Sequence, residues 1–175
     1  LGRYHDGALL VETALTQLAD EHEHAVLLVY DAIAAGEQGD LTRLRAQTDA
    51  SLEIFYRLQD DAGIALALHQ RQYGEAHYAK AYALTAESLS YARRSGRLNL
   101  VALTLAYLGW HATCLGMYPE AFDHLNEALA LATEFGFRDE QAWALDSLGV
   151  MAWGRGDLMA AEQHLYATLA VYTAM

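Results

Sequence analysis

The chain is 175 residues long, 54% hydrophobic, and carries 11 basic against 23 acidic residues for a formal net charge of −12. That length admits one ordinary domain or one repeat array with a continuous core, and so acidic an exterior disfavours nucleic acid and anionic membrane surfaces as partners of this segment. A single proline, Pro119, amid abundant alanine and leucine favours helix, no apolar run approaches the roughly 18 residues of a membrane span, and the lone Cys114 excludes an internal disulfide and suits a reducing cytoplasm.

The chain opens on LGRYHDG, without an initiator methionine or the basic and apolar regions of a signal peptide, so it is expected to be an excised piece of a longer chain or a processed product. Val11, Leu15 and Leu18 fall at the i, i+4, i+7 spacing of an amphipathic helix within residues 1–19. A second apolar helix is predicted over 22–36. The GEQGD loop follows, with Asp40 placed to cap a helix whose stripe is Leu41, Leu44, Thr48, Leu52 and Phe55. Gln59-Asp60-Asp61 is the next break. A short helix is predicted over 61–73 and a longer one from about Glu75 to Arg94, where Arg93 and Arg94 complement the helix dipole and Gly96 ends the helix. Helices over 98–115, 118–135, 139–154 and 157–173 complete the series, with Pro119 tolerated in a first turn and Gly136 as a C-terminal stop. Nothing reads as a strand.

The second half repeats itself. LAYLGWHATCLGMYPEAFDHLNEAL, from Leu105 to Leu129, returns from Leu145 to Leu169 as LDSLGVMAWGRGDLMAAEQHLYATL. Leu105, Leu108, Gly109, Gly116, Ala121, His124, Leu125 and Leu129 recur as Leu145, Leu148, Gly149, Gly156, Ala161, His164, Leu165 and Leu169. Tyr78, Ala81, Thr85, Ser88, Leu89 and Ala92 stand one period earlier. About nine helices in alternating A and B roles result: a lone B helix over 1–19, then pairs over 22–58, 60–96, 98–136 and 138–173, forming one array over 1–175. The GEQGD loop shifts the first pair by about three residues against this ruler, and Gln70-Arg71-Gln72 departs from the small, apolar pattern in the second.

This unit resembles a tetratricopeptide repeat (TPR), with Leu105, Leu108, Gly109 and Ala112 filling the helix A positions and Ala121, Leu125 and Ala128 those of helix B. Its period near 40 residues is similar to the repeats of kinesin light chains. It is similar also to the arrays of large bacterial LuxR-type and AfsR-like NTPase regulators, which YAKAYALTAESLSYARRSG and LGMYPEAFDHLNEALALATEFG most resemble. The resemblance implies an all-α, right-handed α-solenoid of antiparallel helix pairs. It also implies a protein–protein interaction scaffold that binds a peptide or partner segment in a concave groove lined by the A helices. It puts Trp110, Trp143, Val150 and Trp153 on or near that groove, with Ala106, Thr113 and Asp146 beside them, Tyr73 and Gln70 extending it, and Tyr30 or Ile33 as further extensions.

The residues themselves support part of this. At about 100° per residue, Leu103, Tyr107, Trp110 and Cys114 lie opposite Leu105, Leu108, Gly109 and Ala112. A helix apolar all round must be covered on both sides, either by a partner or by packing between repeats. Other chemistries find little footing. His22 and His24 in EHEH lie two apart on a helix and cannot chelate together, and no HExxH or CxxC spacing occurs, so no metal is expected. The glycines end helices and do not follow strands, so no phosphate loop and no cofactor are expected. Cys114 and His111 lack a third group to orient the imidazole, and the thiol is expected to be buried and structural. The chain is therefore read as non-enzymatic and cytoplasmic. Two alternatives stand beside the scaffold: a small-molecule sensor domain of a regulator, and a homo-oligomer formed through uncapped repeat ends.

Overall fold

The computed structural model describes residues 20–174; the helix predicted over residues 1–19 lies outside the described residues. Eight α-helices are described: α1 (Glu21–Glu37), α2 (Leu41–Leu58), α3 (Asp61–Arg71), α4 (Tyr78–Ser95), α5 (Leu98–Cys114), α6 (Tyr118–Phe135), α7 (Arg138–Gly154) and α8 (Leu158–Thr173). Among the described residues there is no strand. The helices pair in sequence as α1/α2, α3/α4, α5/α6 and α7/α8, and they fall into two compact units, one ending at Ser95 and the other beginning at Gly96.

In the second unit, α5 packs on α6 and α7, and α7 on α8. The turn inside each pair closes on a glycine in the left-handed region, Gly116 at φ 74° and Gly156 at φ 79°. That conformation carries no Cβ penalty only for glycine. Helix lengths therefore repeat, with 17 residues in α5 and α7. The core is a small-to-large fit. Leu105, Leu125, Ala112, Ala121, Ala128 and Ala132 have no exposed surface. A Cβ added at Gly109 would stand 2.5 Å from Leu125 Cγ and 3.1 Å from the Ala121 carbonyl oxygen. The hydrogen at Gly109 thus lets α5 and α6 approach, and Leu125 fills the notch; burying a leucine fully contributes about 2 kcal/mol.

The first unit uses the same frame with different chemistry. Its pairs join through α1/α3 and α2/α3 contacts around Ala25, Val29, Phe55, Ile64, Ala67 and Leu68. α1 and α2 match α5 and α6 in length, 17 and 18 residues, with Gly39 at φ 76° in the turn between them. Counted from the helix start, Asp31 therefore takes the position of Leu108 and Leu148. It is 1% exposed. Arg43 meets it in two parallel hydrogen bonds, Nε to Oδ2 at 3.0 Å and a terminal nitrogen to Oδ1 at 2.6 Å, and Gln47 Nε2 donates to Oδ2 at 2.6 Å. Asp40 caps α2 by accepting from the Arg43 backbone N–H at 3.0 Å.

The second pair departs from the predicted boundaries. α3 stops at Arg71, and a single 3-10 turn, Gln72–Gly74, precedes α4 at Tyr78. Counted from the helix start, His69 takes the position of Ala106 and Gln72 that of Gly109, and both are nearly fully buried. The chain leaves α-geometry there and passes under Arg45, which donates to the Gly74 carbonyl. The break after α2 is closed by Gln59 in the left-handed region and by Asp60, which accepts from Ala62 N–H at 3.0 Å.

Two stability outcomes follow. Gly109→Ala is expected to cost about 1–3 kcal/mol by overpacking against the enclosed Leu125. Gly149→Ala is expected to be neutral or stabilising by up to ~1 kcal/mol through helix propensity, because Leu165, 3.1 Å from the added Cβ, is 47% exposed and can give way. Urea denaturation of the two variants decides the order. In the first unit, Arg43→Met is expected to cost about 3–5 kcal/mol by stranding a buried carboxylate. The double change Asp31→Leu with Arg43→Met should recover most of that loss, and a double-mutant cycle in which the two changes add would show that the pair is not coupled.

Candidate functional site

The second unit brings part of the predicted groove together. On α5 and α7 the partly exposed positions follow helical spacing: Leu103, Tyr107 and Trp110 on one, Trp143, Asp146 and Val150 on the other. The Tyr107 and Trp143 rings stack at 4.9 Å with planes 24° apart, and Trp110 lies 6.0 Å from Trp143 at 50°. Three rings from two neighbouring A helices thus form one continuous, half-buried surface. Trp143 Nε1 and the Ser147 hydroxyl, one turn apart on α7, are enclosed and have no hydrogen-bond partner among the described residues. His111 packs near Tyr107 at 6.5 Å. Burial pushes its pKa down to about 4, so the imidazole is neutral at pH 7 and adds no charge to the ring cluster. Tyr107 was legible on the α5 wheel beside Trp110, but its role as the ring that joins the two tryptophans depends on how α5 and α7 stack.

Other predicted positions lie elsewhere. Ala106 has no exposed surface: α5 is packed by both α6 and α7, and this alanine falls inside those contacts. Thr113 is half-buried, and its hydroxyl donates to the Gly109 carbonyl at 2.9 Å. Cys114 is exposed, not buried as the sequence suggested: it is the last residue of α5, where the helix gives way to the turn at Gly116. Trp153, 68% exposed, stands ten positions beyond Trp143 on the same helix, about 15 Å along its axis. It lines a hollow of about 450 Å³ with Leu158, Leu165, Tyr166 and Leu169 of α8. The repeat explains this surface. Leu125 of α6 has no exposed area, whereas Leu165 of α8 is 47% exposed and Leu169 57%. α6 has α7 packed upon it, and α8 has no such neighbour among the described residues.

In the first unit, Gln70 and Tyr73 line a pocket of about 440 Å³ with Ile33, Gly36, Glu37, Leu41 and Leu44. Tyr30 is 58% exposed on α1. Among the described residues no group of three metal-ligating side chains converges, and no helix is long and apolar enough to cross a membrane.

Residues 100–174 match the family model of the tetratricopeptide repeat. No curated protein matches the chain. Among solved structures, the chain is similar to a signal transduction ATPase with numerous domains (STAND) that carries a tetratricopeptide repeat sensor, from Pyrococcus horikoshii. The TM-score is 0.80 over 97% of this chain at 16% sequence identity, and the chain spans 27% of that protein's length. The likeness is one of fold. Leu108-Gly109 and Leu148-Gly149, with Ala121 and Ala161 opposite them, lie within the matched segment, and through these repeats the chain is a tetratricopeptide repeat protein over residues 100–174, on a fold shared with a tetratricopeptide sensor.

Proposed function

We propose that the chain is a protein–protein interaction module that holds a peptide or partner segment against the A-helix face of α5 and α7. The observation that carries this reading is the Tyr107–Trp143–Trp110 cluster, three rings left half-covered on one face of two adjacent helices. Rings of this kind supply large contact area at low entropic cost and dominate binding energetics where they occur. Asp146, on the same stripe, would fix the register of a partner carrying a donor or cation.

The wider setting is part of the same proposal. Tetratricopeptide repeats are interaction scaffolds, and the solved relative is described as a sensor within a signalling ATPase. On that analogy the chain would be the partner-sensing region of a larger cytoplasmic regulator of signalling or transcription, acting without catalysis and without direct contact with nucleic acid or membrane. A net charge of −12 supports the exclusion of polyanions.

A second reading has its own observation. α8 carries one acidic residue, Glu162, and no lysine or arginine, while Leu165, Tyr166, Leu169 and Tyr172 are 47–64% exposed. An apolar face this large supports association of copies through α8.

Two outcomes test these readings. Peptides enriched from a random display library on the 175-residue chain should bind about 30-fold more weakly to Trp110→Ala or Trp143→Ala, a loss of ~2 kcal/mol typical of an aromatic anchor. Phe122→Ala, on the outer face of α6, should change nothing; unchanged binding by both tryptophan variants would sink the proposal. For α8, sedimentation should show concentration-dependent association that Tyr166→Glu with Leu169→Glu abolishes, and a strict monomer at high concentration excludes it.

A further inference from the structure

The pocket of the first unit combines apolar walls with an electrostatic misfit. Ile33, Leu41, Leu44 and Tyr73 form its walls, and Gly36 lies at its floor, where an added Cβ would meet Leu44 Cδ1 at 2.9 Å. Glu37 and Gln70 bring the polar groups. Glu37 is the last residue of α1, and no basic residue stands in that helix's last turn. The other helices of the unit are the reverse: α2 ends with Arg57, α3 with His69 and Arg71, and α4 with Arg93 and Arg94. A helix C-terminus carries about half a negative charge, so a carboxylate there is repelled and a cation is stabilised. Glu37 is exposed and makes no ion pair or hydrogen bond among the described residues. The two arginines that begin α2 do not correct the misfit, since Arg43 is held by Asp31 and Arg45 by the Gly74 carbonyl.

We propose that this pocket is a binding site for a lysine or arginine side chain of a partner peptide. The alkyl stem would lie along Ile33, Leu41 and Leu44. The cation would sit between the Glu37 carboxylate and the α1 C-terminus, with the Gln70 amide oxygen as a further acceptor and the exposed Tyr73 ring able to flank it. A volume of about 440 Å³ holds such a side chain together with part of its backbone. The identity of the ligand as a peptide rests on the proposed interaction role; the cation selectivity rests on the pocket alone.

The test uses single blocked amino acids, which report on the pocket without requiring the α5–α7 surface. N-acetyl-lysine methylamide is titrated into the 175-residue chain against its norleucine counterpart, with methyl NMR signals of Ile33, Leu41 and Leu44 as the readout. The lysine probe should shift these signals saturably and bind about fivefold more tightly than norleucine, the size of one exposed charge interaction. Glu37→Gln, a change at an exposed side chain, should remove that advantage and leave norleucine binding as it was. Equal affinities, an advantage that survives Glu37→Gln, or no shift at these methyls overturns the inference. Tighter binding of cadaverine than of the lysine probe would assign the pocket to free diamines and overturns it equally. Failure here leaves the tryptophan variants of the α5–α7 surface to decide the peptide reading separately.

Discussion

The contact between Gly109 and the Ala121–Leu125 edge of α6 sets the geometry of the second unit. With no side chain at Gly109, two helix backbones approach until a leucine from one fills the notch in the other. Everything that makes α5 useful depends on this. Its Leu105–Leu108–Ala112 side is consumed by packing, so its opposite side, with Tyr107 and Trp110, is left for α7 and for solvent. The same contact recurs, more loosely, between Gly149 and Leu165. The difference between the tight and the loose copy is whether another helix lies over the B helix. Within each unit, the first pair is thus completed by packing against the second.

That geometry explains what the sequence could disclose. The helix pairs of the second unit were legible because small residues, large residues and turn glycines recur at one fixed interval, and each recurrence has one physical meaning. The first unit was less legible because it meets the same geometric demands with other chemistry. Asp31 takes a leucine's place and, among the described residues, is satisfied by Arg43 and Gln47, which lie on the next helix. Nothing local in the sequence announces that pairing. Likewise, Gln72 is buried at the position that Gly109 and Gly149 take in the later repeats, and α3 ends just before it.

The candidate site divides along the same line. Trp110 could be placed opposite the packing face from helical spacing, and Trp143 near it from the resemblance to tetratricopeptide repeats. Their union through Tyr107 could not, because it depends on the stagger between α5 and α7. Ala106 shows the reverse error: a small residue at the flank of the stripe looks accessible on a wheel, yet the neighbouring helices close over it. Trp153 has the composition of a groove residue and the location of an end-face residue. A wheel gives direction around an axis and says little about position along it.

The Asp31–Arg43 pair has a consequence for how the chain finds its fold. Repeats that share an apolar pattern offer one another's helices nearly equivalent seats. A B helix can therefore settle on the wrong A helix during folding with little loss of hydrophobic contact, and repeat proteins are prone to such misassembly. α1 cannot make that mistake cheaply. Its carboxylate is held inside by an arginine at the third position of the neighbouring helix and a glutamine at the seventh, and among the described helices only α2 brings both: α4 carries Lys80 and Leu84 there, α6 carries Glu120 and His124, and α8 carries Ala160 and His164. The buried charge thus acts as an address, directing α1 to its own neighbour in a chain that elsewhere repeats its message.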